Sequence, residues 1–173
     1  NSIYNHMNMI RMKYVSPTDI LTFSVGSVHC GTAMNIVPDE LVFDGTIRTF
    51  NVAGAGASFM KQFKEVLEAE CKLNQCTYEI ISMKDPLFEN YNNETCSEIA
   101  RNAVKKYMGE EALAKAQPWM ACESMQAYLK YWPGVITFTG IQNPEMGTGA
   151  NHHTPEFDLD EKGMIYGAAA AIG

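Results

Sequence analysis

Hydrophobic and polar positions alternate between two periods along the first eighty residues. Ile3, Met7, Met9 and Ile10 recur at a spacing that fits the end of a helix over residues 3–13. Ser16-Pro17-Thr18-Asp19 breaks it. Leu21, Phe23 and Val25 then alternate with Thr22 and Ser24, the period-two signature of a half-buried strand, and Gly26 marks a bulge. Cys30-Gly31-Thr32-Ala33 is a small-residue loop and Pro38-Asp39 a turn; residues 41–50 read as a second strand, completing a hairpin with an elaborated connection. Residues 53–57 are small enough to form a flexible loop, and Ser58 is placed to cap a helix. Phe59, Phe63, Val66 and Leu67 follow at i, i+4, i+7 and i+8, predicting an amphipathic helix to about Leu73. Cys76, Tyr78 and Ile80 alternate again, predicting a third strand over 76–82.

This order, helix then β-β-α-β, resembles a ferredoxin-like sandwich missing its first strand. A linker is expected over 86–93, from Pro86 to Asn93. Thr95-x-x-Glu98 is a capping-box pattern opening a helix with Ile99, Ala103 and Tyr107, which Gly109 ends. Residues 122–131 suggest another short helix, Pro133-Gly134 a turn, and residues 135–139 a short buried strand. Residues 141–157 form a 17-residue loop with two adjacent histidines, a length that usually carries function or mobility. Asp158-Leu159-Asp160-Glu161 starts a final helix whose small residues allow close packing. The expected class is therefore α/β in two parts, residues 1–82 and 83–173. One strand is too little sheet for an independent second domain, so that half is expected to pack on structure outside the chain.

Composition narrows the function classes. The 173 residues carry 13 basic and 20 acidic side chains, a net charge of −7, with no basic stripe to track nucleic acid. No apolar run approaches the length of a membrane span, and the first residues lack the pattern of a signal peptide; with no initiator Met, Asn1 is not read as the natural start. Five cysteines without a C-x-x-C spacing point to reduced thiols in a cytoplasmic protein rather than to a zinc ribbon or disulfide framework.

Chemistry centres on few residues. His152-His153-Thr154-Pro155 offers imidazole, the commonest transition-metal ligand, with carboxylates nearby to orient it; a solvated loop is the plainer reading, and no cluster completes a site. Arg48, on a strand amid apolar residues, needs an anionic partner, either a substrate or Asp44 on the same strand face. Asn35 and His29, near the hairpin connection, share that ambiguity, and Glu123 can be read as a helix-start carboxylate.

Two blocks together resemble the M20 metallopeptidase and amidohydrolase family, closest to its aminoacylase, hippurate hydrolase and indole-acetyl-amino-acid hydrolase branch. One runs from Gly26 through Gly31-Thr32-Ala33-Met34-Asn35-Ile36-Val37-Pro38-Asp39 to Gly45-Thr46-Ile47-Arg48-Thr49-Phe50, similar to the lid-domain signature. The other joins Pro133-Gly134 and residues 135–140 to His153-Thr154-Pro155-Glu156-Phe157, Asp160-Glu161 and Tyr166-Gly167-Ala168. The resemblance implies a partial ferredoxin-like lid and dimerisation domain over 1–82, followed over 83–173 by the C-terminal part of a zinc-peptidase-like α/β catalytic domain. It implies His153 as a metal ligand, with His152 the near alternative, and Asn35 and Arg48 as groups that hold the substrate's carboxylate or amide, with His29 beside them. Residues 121–125 match a family loop in which Asp is replaced by Ser124, which removes the basis for carrying over that Asp's role. The family's other ligands and its general-base Glu have no counterpart, so the chain is expected to be a C-terminal fragment lacking the N-terminal half.

The implied activity is divalent-metal-assisted hydrolysis, with zinc or manganese, of the amide bond of N-acyl amino acids or small peptides, in a homodimer paired through the lid. The chain by itself is expected to be inactive. The competing expectations are a non-catalytic ferredoxin-like module that dimerises or binds a small anion through Asn35 and Arg48, and a subunit that completes another chain's site with His153.

Overall fold

The computed structural model describes residues 1–83 and 88–172. Pro86, the start of the expected linker, lies outside the described residues. The chain separates into two compact units, Asn1–Asn90 with Trp119–Gln126, and Tyr91–Pro118 with Ala127–Gly173.

In the first unit, helix α1 (Ser2–Tyr14) presents Met7 and Ile10 to the interior, and Arg11 and Lys13 in its last turn complement the helix dipole. Val15 is already extended; Pro17 disfavours helix at the residue before it, so the chain turns. Strands β1 (Leu21–Cys30) and β2 (Leu41–Thr49) pair antiparallel, Leu21 facing Thr49 and Cys30 facing Leu41. The register slips between Val25 and Ser27, so Gly26 is the bulge its position in the sequence predicts.

Helix α2 (Ala57–Leu73) packs Phe59, wholly buried, against Met7, Ile10, Val15, Leu21 and Ala55. Phe23 stacks tilted on Phe59 at 5.5 Å between ring centroids, and Phe43 meets Phe63 edge-on at 6.5 Å. Two helices thus cover one face of the hairpin, and the alternation along the strands leaves the other face polar. Ser2 Oγ donates to Glu70 Oε1 at 2.6 Å, with His6 Nδ1 3.2 Å from the same oxygen, tying α1 to α2 at their outer edge.

Three expectations for this unit change. Residues 53–57 are not a loop: Val52–Gly56 forms a π-helical turn that runs into α2. Its cap is the side chain of Asn51, which accepts from the Gly54 N–H at 2.9 Å and donates to Asp19; Glu89 accepts from the Val52 N–H. Ser58 instead donates to the Tyr14 carbonyl at 3.0 Å, linking α2 to the end of α1. Residues 76–82 form no strand, so the described sheet has two strands rather than three. Among the described residues their alternation has no neighbour to pair with, and Tyr78, Ile80 and Ile81 are exposed.

The second unit contains α3 (Glu94–Met108) and α5 (Lys162–Ile172), which contact each other, and the end of the short helix α4 (Met125–Leu129). The cap of α3 is Asn93, whose side chain accepts from the Cys96 N–H at 3.0 Å, not the expected Thr95; Gly109, at φ +94°, ends the helix as expected. The expected strand at 135–139 is absent. Asn92 explains why: its amide donates to the Ile136 carbonyl at 3.0 Å and accepts from the Ile136 N–H at 2.9 Å, so a side chain takes the place of a neighbouring strand. Helix α5 starts at Lys162, after the acidic run. A Cβ at Gly163 would stand 2.9 Å from the Ile141 side chain, so only glycine admits this approach.

Candidate functional site

The polar face of the hairpin is built by side chains at alternate positions. Ser24 and Thr46 hydrogen-bond across it at 3.1 Å, and Ser27 donates to Asp44 at 3.0 Å. Arg48 lies opposite Thr22 on this exposed face, so burial does not demand a partner for it. It makes no ion pair among the described residues; Asp44, four strand residues away, is engaged by Ser27. The expected alternative, an Arg48–Asp44 bridge, is therefore not formed.

Asn35 stands in the exposed connection between the strands, in a turn closed by the Ile36 N–H on the Ala33 carbonyl at 3.4 Å. Gly31, at φ +75°, starts that connection with Pro38 packed beside it. His29 faces Val42 at the same end of the ladder. Arg48 is at the other end: the seven steps from Leu41 to Arg48 span about 23 Å of strand. His29 and Asn35 thus share one end of the hairpin, and neither is hydrogen-bonded to Arg48.

His153 belongs to the second unit. Its φ of +64° puts it in the left-handed region, sparsely populated for residues other than glycine. The turn is closed by Thr154, whose hydroxyl donates to the Asn151 carbonyl at 2.9 Å, and continues with the Phe157 N–H on the Thr154 carbonyl at 3.1 Å. The His152 ring lies edge-on to Phe157 at 5.1 Å and 6.5 Å from the His153 ring. Both histidines are exposed, so their imidazoles are accessible to an ion. No three His, Cys, Asp or Glu side chains gather into a metal-holding group among the described residues. Two adjacent imidazoles of the right donor type are present; a closed set of protein ligands is not, among the described residues.

The loop around these histidines is organised by Asn143 and Thr148, which the sequence does not single out, together with Asp160 of the acidic run. Asn143 opens a 3-10 turn (Pro144–Met146): its side-chain oxygen accepts from the Glu145 N–H at 3.1 Å, and its own N–H donates to Thr148 Oγ1 at 2.7 Å. Its amide nitrogen donates to Asp160 Oδ2 at 2.7 Å. Asp160 Oδ1 accepts from the Lys162 N–H at 3.0 Å, opening α5, and the Asp160 N–H donates to the Ile141 carbonyl at 2.9 Å. The Asp160 carboxyl is held below its ordinary range, first by the Asn143 amide and then by the Lys162 N–H, with the Lys162 charge adding to them against the cost of burial. The Asn-Pro dipeptide at 143–144, a turn initiator, was the available signal. Glu123 is half-buried, and its carbonyl accepts from the Gln126 N–H at 3.3 Å. An open depression of about 360 Å³ between Tyr91, Asn92, Tyr131 and Trp132 holds none of the expected site residues.

Comparison with known proteins gives these positions a context. The family described as the peptidase dimerisation domain, of the M20 group, matches residues 12–74. This corrects one expectation: with the dimerisation domain present in the N-terminal part of the chain, the protein is not a C-terminal-only fragment lacking the N-terminal half. The chain is 29% identical over 159 residues to IAA-amino acid hydrolase ILR1-like 4 of Arabidopsis thaliana, covering 88% of the chain and 35% of that protein. It is 26% identical over 172 residues to thermostable carboxypeptidase 2 of Saccharolobus solfataricus, covering 98% and 41%. It is 25% identical over 157 residues to N-acetyldiaminopimelate deacetylase of Enterococcus faecalis, covering 89% and 38%. The chain thus spans well under half the length of these curated relatives. A crystal structure of a protein assigned as an aminohydrolase from methicillin-resistant Staphylococcus aureus superposes with a TM-score of 0.75 at 20% identity, over 98% of this chain and 43% of that one. The fold is therefore α/β with a dimerisation-type domain first and further structure after it, and the chain resembles M20 amidohydrolases and peptidases. No helix among the described residues is long and apolar enough to cross a membrane.

Proposed function

We propose that this protein acts in metal-dependent hydrolysis of the amide bond of N-acyl amino acids or small peptides. Residues 1–82 serve as a lid and dimerisation domain and residues 83–173 as a segment of the catalytic domain. Arg48 and Asn35, at opposite ends of the hairpin, are the groups available to hold the substrate's carboxylate or amide, with His29 near Asn35, and His153 is a ligand to zinc or manganese. One observation carries this reading: an exposed imidazole held in a left-handed turn, in a chain similar along nearly its whole length to hydrolases of amino-acid amides. Strained backbone of this kind persists where surrounding structure over-determines it, and clusters at functional sites.

Each side chain has a defined task. The guanidinium of Arg48, exposed and without an ion-pair partner among the described residues, can take a carboxylate through two parallel N–H donors; the Asn35 amide can donate to an acyl oxygen. A bound divalent ion would lower the pKa of its water and polarise the scissile carbonyl. With two adjacent imidazoles rather than a set of three donors among the described residues, the chain on its own is expected to bind zinc weakly and to leave N-acetyl and N-benzoyl amino acids uncleaved. The five free cysteines fit a reducing, cytoplasmic setting, and a homodimer through residues 12–74 is the expected partner state.

The test is equilibrium binding. N-acetyl amino acids should bind more tightly than the corresponding neutral amides, and Arg48→Ala should weaken the acids by about tenfold or more, the size of one charge-assisted pair, while leaving the amides nearly unchanged. Equal loss for both would make Arg48 structural. Robust turnover by the 173-residue chain would contradict the reading of its metal site. A sedimentation experiment checks the dimer, and a monomer at every concentration would remove that part.

A further inference from the structure

The geometry points to Asn143 as the positioning residue of the imidazole loop, acting through Asp160. This rests on the reading of His153 as a metal ligand, because the loop it positions is the one that carries that side chain.

The segment from Ile141 to Asp160 leaves and returns at one place. The Asp160 N–H on the Ile141 carbonyl closes its ends at 2.9 Å. Inside that closure, residues 143–148 fold into a knot. Thr148, among the least exposed side chains of the second unit, accepts from the Asn143 N–H, and its own N–H returns to the Asn143 carbonyl at 3.2 Å. Gly147 at φ +75° and Gly149 at φ +125° let the chain reverse within that space; a Cβ at Gly149 would stand 2.6 Å from the Gln142 side chain. Residues 149–159, with His152 and His153, therefore hang between two fixed posts, Thr148 and Asp160.

Asn143 ties the posts together. Its oxygen holds the knot through the Glu145 N–H, and its amide holds the far post through Asp160 Oδ2 at 2.7 Å. The ionised Asp160 acceptor makes this the strongest class of neutral-to-charged hydrogen bond, and the second carboxylate oxygen fixes the start of α5 through the Lys162 N–H. A metal ligand must be held within about 0.5 Å of its productive position by groups that do not touch the metal. Among the described residues, the Asn143–Asp160 side-chain bond joins the two ends of the excursion that carries His153.

An isosteric exchange of the two side chains tests this. Asn143→Asp places a carboxylate against the Asp160 carboxylate and removes the donor. Adding Asp160→Asn restores the bond in reverse: the new amide at position 160 donates to the new carboxylate at position 143. Both oxygens that accept from the Glu145 and Lys162 N–H groups survive the exchange.

Two readouts are made on the full chain for wild type, N143D and N143D/D160N: amide hydrogen exchange at Phe157 and Asp160, and the shift of the His153 ring resonances on adding zinc chloride. N143D should speed exchange at both amides about tenfold, the effect of losing one charge-assisted hydrogen bond, and weaken the zinc response; the double variant should return both to within about threefold of wild type. A double variant as perturbed as N143D, or an N143D protein indistinguishable from wild type, overturns the assignment. If wild-type His153 does not respond to zinc while the exchange cycle closes as expected, the metal reading fails and Asn143 still positions the loop. If His153 responds equally in all three proteins, the metal reading stands and the positioning role is overturned.

Discussion

Phe59 and Leu21, in the first unit, are fully buried, whereas the second unit buries a polar side chain, Thr148, and leaves Met164, Ile165 and Tyr166 of α5 exposed. Among the described residues, the seven buried hydrophobic side chains all lie in the first unit. One region is held by apolar burial between two helices and a hairpin; the other is ordered locally by side-chain amides, Asn92 on Ile136, Asn93 on Cys96 and Asn143 on Asp160. Apolar burial is non-directional and tolerates small shifts, while each hydrogen bond fixes a direction. A platform packed by apolar burial therefore presents Arg48, and a set of directional staples presents His153.

The largest expected effect falls on the platform. Phe59→Ala should destabilise the first unit by about 3–5 kcal/mol, through lost transfer energy and the cavity left among Met7, Ile10 and Leu21. Exchange at the paired amides of β1 and β2 should rise accordingly, while Asp160 and Thr148 amides keep their protection. Loss of protection in both units together would show that they unfold as one. The next effect separates two candidate caps of α3: Asn93→Ala should cost about 1 kcal/mol and Thr95→Ala within about 0.5, read by chemical denaturation. The reverse order would return the cap to Thr95.

The smallest effect is set by pH and is confined to the second unit. Asp160 titrates below its ordinary value of 3.8 because its ionised form is hydrogen-bonded in the fold. A carboxyl depressed by folding binds its proton less readily than in the unfolded chain. Its stabilising effect is therefore fully present above 3.8 and is lost as pH falls through the lower, folded value. Resonances of Lys162 and Asn143 should hold steady from neutral pH and move only below that point, and Asp160→Asn should abolish the transition. A transition near neutral pH would assign the titration to another group.

The comparison also explains what the sequence made legible. Period-two alternation found β1 and β2, and the i, i+4, i+7 spacing from Phe59 found α2, because burial selects side chains on one face. The bulge at Gly26 was visible for a similar reason: a residue without a side chain interrupts the alternation. Caps were misplaced, by two residues at Thr95 and by seven at Ser58, because several polar residues near a helix start are equally plausible and only geometry selects among them. The strands expected at 76–82 and 135–139 failed because alternation describes one segment and a ladder needs two. Asn35, Arg48 and His153 were singled out by residue type and position and given roles by the resemblance; Asn143 and Thr148, and the contact that ties Asn143 to Asp160, were not, since their significance lies in contacts across a loop of twenty residues.

The most direct test is a crystal structure of the protein grown with zinc. An imidazole nitrogen of His153 should lie about 2.0–2.1 Å from the ion, with the turn at Asn151–Thr154 unchanged. Zinc bound elsewhere with His153 empty, at concentrations that occupy other sites, would contradict the account.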